Sequence, residues 1–211
     1  MSISLVQHKK NNSGTTISFD STPSAGNLII VAISQYIAIG TTEVTDNQSG
    51  NTYTFIRQQQ GGPGTDNVGL FYAKNVNSSG TFTITYGGNG TISIYEYSGA
   101  DTSNPLDQQN SATGTGTSLS SGNVTVTTDG ELYFGAAWSI QNGDTWAAGS
   151  GWGSIIESET NNDSFERHAT ENKIENAQTV AATFTVGTSS AWISVIATFK
   201  PAATSSTSPS I

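Results

Sequence analysis

The sequence predicts an all-β protein, a two-sheet antiparallel sandwich with almost no helix. Three observations lead there. Apolar and polar residues alternate at a period of two along most of the chain. Gly- and Asn-rich clusters cut that alternation into short runs, as turns cut strands. No stretch carries the 3.6-residue apolar stripe of an amphipathic helix. Composition agrees: 29 Ser, 30 Thr, 17 Asn and 23 Gly supply 99 of 211 residues. Thr together with scattered Tyr, Phe and Trp fits a pleated, half-buried surface.

The strands follow in order. The opening segment Ile3–Lys9 reads as a strand and as a docking arm. Thr15-Ile17-Phe19 alternates, and a Pro-Ser-Ala-Gly-Asn turn leads to Leu28–Ser34, an apolar run covered on both faces. Tyr53–Gln58, Val68–Lys74, Thr81–Tyr86 and Thr91–Ser98 complete the first half. Turns at Gly61–Gly64 and Gly87–Gly90 separate them. The second half offers Val124–Thr128, Glu131–Ser139, Ser154–Glu159, Ser164–Glu171, Thr179–Val186 and Ala191–Lys200. Gly99–Gly122 reads as a polar crossing from sheet to sheet. Residues 1–200 are expected to form one domain, and Pro201–Ile211 has the composition of a tail.

The two halves resemble each other. Thr81-Phe82-Thr83-Ile84 aligns with Thr183-Phe184-Thr185-Val186, and Ile92-Ser93-Ile94 with Ile193-Ser194-Val195. Two pseudo-equivalent halves are one reading of this offset of about 101–109 residues. Chance alignment of Thr-rich strands is the other.

Net charge is −9, from 16 acidic and 7 basic residues. Binding to a phosphate backbone needs clustered Lys and Arg, and Lys9-Lys10 is the one basic pair. Nucleic acid and anionic membrane are therefore not expected partners. The absence of Cys excludes disulfides, thiolate catalysis and thiolate zinc sites. The longest apolar run, Leu28–Ile33, is far too short to cross a bilayer. The opening residues carry no export pattern.

Few residues can carry chemistry. His168 is expected on an exposed polar strand face with Glu166 and Thr170, and no Ser is expected within reach of it or of His8. Glu157 and Glu159 alternate on one face of Ser154–Glu159, and Glu96 and Glu131 lie on other strands. Glycoside hydrolysis needs two carboxylates facing across a cleft. These positions do not establish that, so no catalytic residue is assigned. Asp46 and Asn47, in Asp46–Asn51, and Asp101, in Asp101–Asp107, have the composition of hard-cation loops. They lack the Glu at the twelfth position of an EF-hand loop. A structural calcium ion is thus the one cofactor to consider, and Asx turns are the other reading. Trp138 and Trp192 lie in apolar strands and are expected in the core. Trp146 and Trp152 lie in a Gly-rich connection, where flat aromatic faces suit sugar rings. Asn142 and Asp144 stand beside them as hydrogen-bonding neighbours. A hydrophobic plug under the loop is the alternative.

With the strands in order, the chain resembles jelly-roll or concanavalin-like sandwich modules of bacterial secreted proteins and phage structural proteins. The residues behind this are Pro23–Ile33, Val44–Thr54 and Ile193–Pro201. The resemblance concerns strands and turns, and implies a fold and no site. The function expected is a non-enzymatic virion surface component, a decoration or appendage protein. It would contact other copies of itself or a larger particle. A carbohydrate-binding module using the loop aromatics is the alternative.

Overall fold

The computed structural model describes residues 2–12, 14–61, 66–88, 90–140, 145–159 and 167–203. It is all-β: sixteen strands and no helix among these residues. The first eight are β1 (Ser4–Asn11), β2 (Thr16–Ser18), β3 (Leu28–Gln35), β4 (Val44–Asp46), β5 (Thr54–Gly61), β6 (Asp66–Ala73), β7 (Thr83–Tyr86) and β8 (Thr91–Ser98). The second eight are β9 (Leu106–Ser120), β10 (Val124–Thr125), β11 (Glu131–Ser139), β12 (Trp146–Ala148), β13 (Ile155–Glu159), β14 (His168–Glu175), β15 (Thr179–Val180) and β16 (Thr183–Phe199).

In each half the pairing is nested. β1 pairs β8, β2 pairs β7 and β3 pairs β6. In the same way β9 pairs β16, β10 pairs β15 and β11 pairs β14. First with last, second with seventh and third with sixth is a long hairpin rolled into two sheets, the jelly-roll winding. The large sheets have matching orders, β1-β8-β3-β6-β5 and β9-β16-β11-β14-β13. A small outer sheet, β2-β7-β4, covers the first half. In the second half the outer layer is made by β10-β15 and β12. The N-terminal part of β16 and residues 118–120 of β9 complete it.

The two large sheets pack face to face as a sandwich, and the outer layers add to the two sheets expected. Between them lies one core drawn from both halves, with Leu28, Ile30, Leu70, Tyr95 and Tyr97 against Phe134, Trp138, Val195 and Phe199. Two further cores sit under the outer layers. One holds Val31, Phe71, Phe82 and Ile94; the other holds Leu119, Tyr133, Trp152, Phe184 and Ile196. This explains why β3, β6, β8 and β11 are buried along both faces. Trp138 and Trp192, both expected in the core, are buried.

The halves correspond as strands, with one slip in the alignment read from sequence. Phe82 and Phe184 both face outer cores. Ile92 and Ile94 also face an outer core, whereas Ile193 and Val195 face the central one. That pair is one residue out of register, and one residue reverses the face. The edges repeat as well. Lys10 of β1 donates to the carbonyl of Ser158 in β13. At the opposite edge Arg57 of β5 donates to Ser111 of β9, at 2.8 Å.

Three segments differ from expectation. Gly99–Gly122 contains the 15-residue strand β9 in place of a crossing loop. Its polar, small side chains suit an edge strand half open to solvent, and composition alone cannot separate that from a linker. Thr179–Val186 and Ala191–Lys200 are not two separate strands. Thr183–Phe199 is one strand, which passes from outer layer to central sheet through a register shift between Thr185 and Ser190. The folded part also continues past residue 200. Pro201 bridges Ala100, and the Ala202 amide donates to Gly99, at 2.8 Å. Residues 204–211 of the expected tail lie outside the described residues.

Trp192 closes over β9. A Cβ on Gly114 would lie 2.4 Å from its ring, so only glycine fits beneath it. Trp192→Ala opens a cavity there and is expected to cost about 3–5 kcal/mol. Denaturant unfolding of the variant at constant slope measures this.

Candidate functional site

The residues with chemical potential fall in four places. The first is the central layer, where β14 faces the first half. Ser34 Oγ lies 2.7 Å from His168 Nδ1, Tyr95 OH 2.5 Å from Thr170 Oγ1, and Asn172 donates to Tyr97 OH at 2.6 Å. All three pairs join one half to the other. The expectation of an exposed face is corrected: His168 and Thr170 share a face, but it is turned inward and buried. The expectation that no Ser lies near a histidine is also corrected, by Ser34. The alternation gave the shared face, while the partner came from a strand 134 positions away. Glu166 lies outside the described residues.

Ser34 and His168 are both fully buried, and among the described residues His168 Nε2 has no hydrogen-bond partner. Among the described residues no carboxylate orients the ring as an acyl-transfer triad would require. Burial, with a smaller effect of the Lys10 charge, lowers His168 to about 3, so the ring is neutral. His8 lies elsewhere, at the edge between halves. Its Nδ1 is 2.7 Å from Glu157, and its ring stacks on Tyr95 at 6.2 Å.

The second place is the outer layer of the second half, where the tryptophans were expected to bind a ligand. Trp152 is 2 % exposed. Its Nε1 donates to the Ala181 carbonyl at 3.1 Å, and Lys173 Nζ sits 5.0 Å from its ring. It is a plug between β14 and the outer layer, and this corrects its assignment as a sugar platform. Trp146 lies on β12 and not on a loop. Its ring meets Phe184 edge to face at 6.1 Å, and it keeps partial exposure. Asn142 and Asp144 lie outside the described residues.

Beneath this layer is a carboxylate that the alternation does not single out. Glu171 is fully buried and accepts from the amides of Thr183 and Gly149, at 3.0 and 3.1 Å. It ties two outer segments to β14. Burial outweighs these bonds and raises the carboxyl to about 8. Glu96 has a similar place in the first half. It accepts from the Ser24 amide, Asn27 and Gln7, at 2.6–2.7 Å, and so anchors the turn before β3.

The third place is the Asp46 loop. Asp46 accepts from the Gln48 amide, Asn51 and Tyr53 OH, at 2.8, 2.8 and 3.0 Å. Asn47 Oδ1 accepts from Gln48 and the Thr83 amide, both at 2.9 Å. These donors occupy the oxygens that a cation would use. The fourth place is an open cavity of about 750 Å³ at one end of the molecule, lined by Ser2, Asp101, Asp129, Lys200 and Ala203. Asp101 accepts from the amides of Ser103 and Asn104, at 2.7 and 3.0 Å, and these bonds hold it below the usual carboxylate range. Near this end Glu131 is buried and raised to about 7, by burial first and then by Asp107. The structure does not bring Asp46 and Asn47 together with Asp101. Among the described residues no three His, Asp or Glu side chains group to hold a metal.

Comparison with known proteins gives no match to a family model, to a curated protein or to a solved structure. Among the described residues no helix is long and apolar enough to cross a membrane.

These geometries predict how stability responds to pH and to calcium. His168 binds its proton at about 3 when folded and at 6.5 when free. The unfolded chain therefore takes up the proton first, and this contribution to stability is lost as pH falls below 6.5. Glu171 acts in the opposite sense: folded near 8 and free near 4.5, it loses stability as pH rises through that window. Melting temperatures against pH should fall less steeply on the acid side for His168→Gln, and less steeply on the alkaline side for Glu171→Gln. Wild-type melting, in turn, is expected to be the same with calcium as with a chelator. A calcium-dependent rise measured by calorimetry would restore the cation reading of the Asp46 loop.

Proposed function

We propose that the chain is a non-enzymatic surface protein, a decoration or appendage component of a phage virion, acting through protein–protein contacts. The observation that carries this reading is the enclosure of its reactive side chains. His168, Glu171 and Glu96 are buried and each is hydrogen-bonded within the fold. A catalytic group must instead reach a reacting atom in a cleft. Along β9 the residues that face solvent are uncharged: Gln108, Gln109, Thr113, Thr115 and Thr117. The acidic balance of the chain argues against a nucleic-acid partner. Burial of Trp152 removes half of the aromatic pair on which glycan recognition would rest.

The test is co-sedimentation of the tagged chain with particles released from lysing cells that express it, together with immunogold labelling. The expected outcome is label on particles, retained through a density gradient. A chain that stays soluble, binds a glycan on an array and loses that binding in Trp146→Ala would overturn the reading in favour of the lectin.

A further inference from the structure

The geometry points to a homotypic interface: residues Thr113–Thr117 of β9 form an open sheet edge that pairs with the same edge of a second copy of this chain. The fold contains its own control for this. β1 and β9 are equivalent strands, each the first of its half and each paired to the last. An unprotected edge is a template for pairing, and proteins block it with charge, bulges or cover. β1 is blocked. It carries His8, Lys9 and Lys10, tied to Glu157, Asp20 and the Ser158 carbonyl, and it has a bulge between Leu5 and Gln7. The edge strands β5 and β13 have bulges too, and carry Arg57 and Glu157.

β9 departs from this pattern. From Gln108 to Ser120 it has no charged residue and no Pro. It pairs with β16 without interruption from Gln109↔Ala197 to a neighbour of the bend, Gly116↔Ser190. Its first part is covered: the Ser111 amide is taken by Asn110 Oδ1 at 2.8 Å, and Asn110 donates to the Asn123 carbonyl at 2.9 Å. The Ser111 amide thus points away from β16. Alternation along a strand gives Thr113 and Thr115 the same outward direction. Among the described residues no strand pairs with that side of β9. Thr113, Thr115 and Thr117 are exposed.

A second copy is the occupant the chemistry favours. Antiparallel pairing of a strand with itself is self-complementary and closes with twofold symmetry, so both open edges are consumed at once. The chain has a net charge of −9, so two copies repel over most of their surfaces. Past Ser111, where Arg57 of β5 reaches the strand, Thr113–Thr117 carries no charge, and there two copies can meet without facing like charges. Thr is well suited to such pairing, because cross-strand Thr pairs stabilise a sheet. The inference is independent of the proposed virion role, since it concerns the purified chain alone.

Sedimentation equilibrium of the wild-type protein tests it, with Thr115→Pro, Thr115→Lys and Thr115→Cys. Pro removes an outward amide without touching the β16 ladder, and Lys places like charges across the interface. The wild type should sediment as a dimer. The Pro and Lys variants should become monomeric with unchanged far-ultraviolet circular dichroism. Because the chain has no Cys, the oxidised Thr115→Cys variant can form a disulfide only between copies, and it should run as a covalent dimer. A monomeric wild type overturns the inference. So does a wild-type dimer that persists in a folded Thr115→Lys variant while the oxidised Thr115→Cys variant gives no cross-link.

Discussion

The layer between the two large sheets is the constraint on which the rest depends. Neither half buries its large sheet alone: the central core takes Leu28, Leu70 and Tyr95 from one and Phe134, Trp138 and Val195 from the other. Apolar area supplies the driving force, and it has no direction. The polar pairs supply direction. Ser34–His168, Tyr95–Thr170 and Tyr97–Asn172 have partners only when β14 stands in one register against β3 and β8. A slip by one residue would leave these groups buried and unpaired, at a cost of about 1–3 kcal/mol each. Packing joins the halves, and hydrogen bonding selects how they are joined.

The outer layers follow the same logic with different chemistry. In the first half, Gly69 of β6 leaves room that Ile39 fills, 2.7 Å from where a Cβ would stand. On the equivalent strand of the second half, β14, the Glu171 carboxyl holds two backbone amides. At this strand one outer layer is fastened by an apolar side chain and the other by a buried acid; the buried acid of the first half, Glu96, stands on β8 instead.

Much of the fold was legible in the sequence because alternation reports faces directly. Leu28–Ser34 and Glu131–Ser139 announced central strands. What alternation cannot report is which layer a face meets. His168 and Thr170 looked like a solvent face because polar residues usually are one, yet they meet Ser34 and Tyr95. Trp152 looked like a loop aromatic because Gly151 and Gly153 flank it, and those glycines turn the chain so that the ring can enter the core; both have positive φ, 82° and 81°. β9 was missed because Thr-Gly alternation has no apolar face to show. Glu171 was missed because nothing local distinguishes a buried acid from an exposed one. Its partners, the amides of Gly149 and Thr183, come from other segments.

The placement of the indoles has an optical consequence. All four, Trp138, Trp146, Trp152 and Trp192, belong to the second half, and the first half has none. Tryptophan emission therefore reports on one roll of the molecule. Tyr95 and Tyr97 of the first half lie in the same core as Trp138, well within the range of tyrosine-to-tryptophan energy transfer. Six of the seven tyrosines belong to the first half, so the tyrosine-sensitised part of the indole emission falls when the halves separate, down to a remainder from Tyr133, which shares the outer core of Trp152. Comparing that part with directly excited indole emission distinguishes parting of the halves from unfolding of the second, without any label.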